Sequence, residues 1–79
     1  MKQKKSLVKI LRQIIKKELK ITVQLNSKLL DYEEWDSIGN FNILLACEEK
    51  FNIKFTGNEF SKLKSFKEIF TVVKNKIKK

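Results

Sequence analysis

Apolar residues recur in the first part of the chain as Leu7, Ile10, Leu11, Ile14 and Ile15, with lysines on the intervening positions. The spacing i, i+3, i+4, i+7, i+8 marks one face of a helix, ending near residues 18–20. Over residues 21–35 the period disappears, and Asn26, Ser27 and Asp31 interrupt it. This stretch reads as a long ordered loop held down by Leu25, Leu29, Leu30 and Trp35; loops of that length in a compact domain are usually functional. A second helix is predicted to open at Ser37. Asp36 is a good N-cap, because its carboxylate can accept from the orphan amides of the first turn and its charge suits the positive end of the helix. That helix runs to about Phe51, and a short helical turn follows near residues 58–62. The last helix opens on Ser65-Phe66-Lys67-Glu68, in which Ser65 and Glu68 have capping-box spacing; Phe66, Ile69, Phe70, Val73 and Ile77 continue its apolar face. With no proline, two glycines and no repeat, nothing suggests a linker. The expectation is all-α: a small antiparallel four-helix bundle, three main helices and one short one, in a single domain over residues 1–79.

The second helix carries more apolar residues than one core needs. Projected at about 100° per residue, Asn40, Ile43, Leu44, Cys47 and Phe51 share an arc suited to the core. Ile38, Phe41 and Leu45 fall on another, with Glu48 and Glu49 on the same side. Apolar centres edged by acids suggest a docking surface, although the preceding loop could instead fold over this arc and bury it. Glu48 lies eleven residues beyond Ser37, about 16 Å at 1.5 Å per residue, and returns to nearly the same angle. One partner covering Ser37 could therefore touch both.

Charge sharpens the same region. The chain has 79 residues and a formal net charge of +9. Residues 1–28 hold nine basic side chains against Glu18, and residues 50–79 hold nine against Glu59 and Glu68. Residues 29–49 have no lysine or arginine and carry Asp31, Glu33, Glu34, Asp36, Glu48 and Glu49. Screening over about 8 Å at physiological salt leaves such an island its own sign, so a partner approaching Ser37 meets negative potential.

Composition limits the remaining classes. An apolar fraction of 42% with 34% charged residues belongs to a folded chain. No apolar run approaches the roughly 18 residues a spanning helix needs, and the lysine-rich start lacks the continuous apolar stretch of a signal peptide; the expected location is the cytoplasm. One cysteine and no histidine leave no internal disulfide and no conventional zinc set. Without histidine a serine triad inside the chain is excluded, and no lysine lies between Lys28 and Lys50 to activate Ser37. Ser37 is then either a residue acted upon by another protein or simply part of a helix's first turn. The basic balance also admits a helical module that binds nucleic acid through Lys2, Lys4, Lys5, Lys9, Arg12, Lys16 and Lys17. No recognised reading motif accompanies these charges, which makes it the lesser reading.

The run Trp35-Asp36-Ser37-Ile38-Gly39-Asn40-Phe41-Asn42-Ile43-Leu44-Leu45-Ala46-Cys47-Glu48-Glu49-Lys50-Phe51-Asn52-Ile53 resembles the signature of acyl carrier proteins: an Asp-Ser-Leu/Ile motif, a helix ending in a Leu-Glu-Glu-x-Phe-like segment, then a loop and a short helix. The resemblance implies a non-catalytic phosphoprotein in which Ser37 carries a covalent 4′-phosphopantetheine arm, transferred from coenzyme A by a carrier-protein synthase that uses Mg²⁺. The arm's thiol would hold an acyl or aminoacyl group as a thioester for loading and processing enzymes, in fatty acid or secondary-metabolite biosynthesis or in polysaccharide decoration. It implies a monomer docking through Asp36, Ile38, Phe41, Leu45, Glu48 and Glu49. A carrier-like adaptor that is never modified is the other reading of the same motif. The chain departs from the family in its basic flanks and in Cys47, which stands where leucine is usual and is read as a small core residue. Six phenylalanines in so small a core are also expected to limit space for a sequestered acyl chain.

Overall fold

A computed structural model describes residues 2–78, and side chains from Leu7 to Ile77. The expected order of helices is present: α1 (Lys2–Leu19), α2 (Ser37–Phe51), α3 (Gly57–Lys62) and α4 (Phe66–Lys78). Among the described residues there is no strand, only one isolated bridge between Lys28 and Ser65.

Helix α1 buries Leu7, Leu11, Ile14, Ile15 and Leu19 and packs against both α2 and α4. It stops where Lys20 turns left-handed, φ 62°, with its amide donating to the Lys16 carbonyl at 2.8 Å; this is a common way to satisfy carbonyls left free at a helix end. Asn52, φ 57°, ends α2 in the same way. Helix α3 begins with a complete capping box between Thr56 and Glu59. The Thr56 amide, with Lys76 Nζ 3.1 Å away, holds the Glu59 carboxyl below its usual range.

Three expectations need correction. Leu25 and Leu30 do not hold the loop down, being 58% and 72% exposed. The loop is anchored instead by buried Ile21, Val23, Ser27 and Trp35, with Leu29 half-buried, and by backbone bonds from Leu29 to the Lys64 carbonyl and from Phe66 to the Ser27 carbonyl. A period-based reading missed Ile21 and Val23 because they alternate along extended chain rather than repeating at helical spacing. The Ser65 box is also only half formed. Ser65 Oγ accepts from the Glu68 amide, but the Glu68 carboxylate takes the amide of Lys64, one residue before the cap. Finally, the core is mainly aliphatic: of the six phenylalanines only Phe55 and Phe66 are buried, and Phe41 is exposed. The aromatic residues collect at the α2–α3 side, where Phe60 lies 5.1 Å from Phe41 and 5.8 Å from Phe55 between ring centroids.

Candidate functional site

The start of α2 is fixed from both sides. Asp36, in extended conformation, accepts the Gly39 amide on Oδ1 at 2.8 Å, and its carbonyl takes the Asn40 amide at 2.8 Å. This leaves Ser37 at the first helical position, exposed to solvent. Among the described residues Ser37 Oγ makes no side-chain hydrogen bond, and neither do the Ser37 and Ile38 amides take a partner in any described loop or cap contact. An exposed hydroxyl beside open amides at the positive end of a fifteen-residue helix is a favourable place for a phosphate ester.

Two residues that were not among the expected site residues hold this geometry. Gly39 is buried, and a Cβ there would stand 2.5 Å from the Glu34 carbonyl oxygen and 3.0 Å from Leu19 Cδ2. The loop backbone therefore lies directly on the first turn of α2, against the end of α1. Gly39→Ala should push the two apart and loosen the Asp36 cap. The expected outcome is a lower melting temperature and faster amide exchange confined to residues 34–40; an unchanged melting curve would show that the contact gives way freely.

Asn40 is the second. It is 5% exposed, accepts from Trp35 Nε1 at 2.9 Å and donates through Nδ2 to the Leu63 carbonyl at 2.8 Å. One amide thus ties the loop, α2 and the α3–α4 connection together. The available signal was a polar residue on an otherwise apolar arc, five positions after the only tryptophan, whose indole N–H needs an acceptor when buried.

The proposed docking residues divide. Ile38, Phe41 and Leu45 form an exposed strip along α2, 72%, 48% and 41% accessible, so the loop does not bury that arc. Asp36 is exposed at its head. Glu48 is half-buried, and its Oε2 accepts the Phe55 amide at 2.8 Å; it closes the α2–α3 turn as well as facing the strip. Glu49 is exposed and borders a groove between α1 and α2 with Lys17 and Ala46. Cys47 is fully buried, and burial pushes its thiol up to about 12. It is therefore a protonated core residue and not a nucleophile at neutral pH.

With Ser37 exposed behind Asp36 at the head of an acidic helix, comparison with known proteins decides the family. Over 67 residues the chain is 30% identical to the acyl carrier protein of Campylobacter hominis, a match covering 81% of this chain and 85% of that protein. The chain belongs to the acyl carrier protein family. No family model matches it, and no solved structure does. For a carrier, a helical bundle without its own catalytic set is the expected form, and no described helix is long and apolar enough to cross a membrane. The side chains of Lys2, Lys4 and Lys5, named above for a nucleic-acid module, lie outside the described residues; Lys9, Arg12, Lys16 and Lys17 are exposed on α1.

Proposed function

We propose that this carrier holds a 4′-phosphopantetheine arm on Ser37 and presents an acyl or aminoacyl thioester to partner enzymes. The observation that supports this most directly is the free, exposed hydroxyl of Ser37 at the opening of α2. The residues fit such a group. Its phosphate would lie beside the Ser37 and Ile38 amides, while Gly39 and Asp36 keep the turn in place and Trp35 and Asn40 anchor what lies beneath. When bound, the arm supplies a thiol that carries the cargo. The chain itself would offer attachment and recognition: it has no histidine, and no side chain among the described residues is hydrogen-bonded to Ser37 Oγ, so the proton of that hydroxyl would pass to the synthase.

Recognition falls to the acidic island and the apolar strip. Negative potential around Asp36 and Glu49 attracts enzymes with basic docking faces, and Ile38, Phe41 and Leu45 provide apolar burial at the centre of a small, transient contact. Ile38→Ala trims a side chain that is mostly exposed in the free carrier, so stability should stay within about 0.5 kcal/mol of wild type. The KM of a carrier-protein synthase for the apo chain should rise roughly tenfold, as for loss of a contact residue at an interface centre. An unchanged KM would remove the strip from the docking surface. The direct test of the whole reading is intact mass after incubation with coenzyme A and a synthase.

A further inference from the structure

We propose that the outer face of α1, with the adjoining flank of α4, is a second interaction surface that binds an anionic lipid bilayer peripherally. Lys9, Arg12 and Lys16 recur every three or four residues on α1 and project within one arc of roughly 60°, turned away from the buried Leu7, Leu11 and Ile14; Lys20 follows at the left-handed end of the helix. All four are exposed, and the three on the helix cover about 10 Å at 1.5 Å per residue. Helix α4 packs beside α1. Lys76 marks the other flank of α4, since it reaches Glu59 and the Phe55 ring of α3. Lys67, exposed, and Lys74, half-buried, project opposite Lys76 and add positive charge on the helix beside α1.

The described ion pairs are Lys28–Asp31 and Lys76–Glu59, and none of these six cations takes part; their one described side-chain hydrogen bond is a long one, from Lys16 Nζ to Thr22 Oγ1 at 3.5 Å. Arg12 and Lys16 stand at i, i+4 on α1, where like charges repel. Their physical use is outward. A broad face formed by two helices and dominated by lysine suits a plane of negative charge, and clusters of this size on an amphipathic helix are characteristic of anionic lipid attachment. Nucleic acid fits less well. On α1 there is no aromatic side chain to stack on bases, and on α4 Phe66 is buried and Phe70 half-buried against the core; lysines also lack the planar fork that reads base edges or grips phosphate in two places. Attachment by this face leaves the Ile38–Phe41–Leu45 strip, which borders α3, free for enzymes; it does not depend on what Ser37 carries.

The test is cosedimentation of the full chain with phosphatidylcholine vesicles, with and without one third phosphatidylglycerol, at physiological ionic strength. Wild type should bind only the anionic vesicles. Lys9→Gln/Arg12→Gln/Lys16→Gln should bind roughly a hundredfold more weakly, and Lys67→Gln/Lys74→Gln should also weaken it. Lys54→Gln/Lys62→Gln/Lys64→Gln, which removes the same net charge from the α2–α4 connections, should bind like wild type; circular dichroism confirms that each variant is folded. Equal losses in the two triple variants would mean that only bulk charge matters, and would overturn the assignment. So would failure of wild type to bind, or tighter retention on duplex DNA or single-stranded RNA than on the vesicles at the same salt.

Discussion

Ser37→Ala should keep its original intact mass after incubation with coenzyme A and a carrier-protein synthase, while the wild-type chain gains one phosphopantetheinyl group. The expected effect is complete loss, because the substitution removes the hydroxyl to which we propose the arm is joined. Other nucleophiles are poor substitutes: Cys47 is enclosed and protonated, and Ser27, 4% exposed, already accepts the Gln24 amide and contacts the Tyr32 hydroxyl. The variant should also melt like wild type, since Asp36 and not Ser37 caps α2. A mass gain that survives Ser37→Ala would place the modification elsewhere. No gain in either protein would leave a carrier-shaped adaptor.

Trp35→Ala should have the largest effect on stability. The ring is fully buried at the base of the loop, its indole N–H is bonded to Asn40, and its carbonyl accepts the amide of Leu30. Truncating a buried aromatic to alanine costs about 3–5 kcal/mol. At roughly 0.05–0.15 kcal/mol per residue, a domain of this size has about 4–12 kcal/mol in all, so the loss is a large share of it. The melting temperature should fall by about 15–30 °C, and the variant should be a poor substrate for modification because the start of α2 no longer has its support. Trp35→Phe separates the two contributions: it keeps most of the packing but leaves Asn40 Oδ1 without its donor, at a cost of about 1–3 kcal/mol. Denaturation showing less than about 1 kcal/mol lost in Trp35→Ala would refute the anchoring role.

The helices were legible because each announces itself locally. The α1 stripe, the Asp36 cap and the α2 core arc of Asn40, Ile43, Leu44, Cys47 and Phe51 need only near neighbours to be read, and the structure buries the first four and half-buries Phe51. What could not be read depends on contacts across the chain. Leu30 looks like an anchor by hydrophobicity, yet its backbone is left-handed, φ 74°, with its amide turned to the Trp35 carbonyl, and its side chain faces solvent. Gly39 shows no special backbone angle; only the Glu34 carbonyl, brought in by the loop, makes its lack of a side chain necessary. Glu48 has the position of a docking acid and also closes a turn seven residues on. Helical projection assigns residues to faces, but it cannot see what a distant loop lays on them.

The bond from Trp35 to Asn40 makes the chain its own optical probe. With one tryptophan in the sequence, ultraviolet emission arises from a single indole, held five residues from the Asn40 that locks α2 to the α3–α4 connection. Its colour and quenching report whether the platform beneath Ser37 stays closed as cargo is loaded and handed on, with no dye attached.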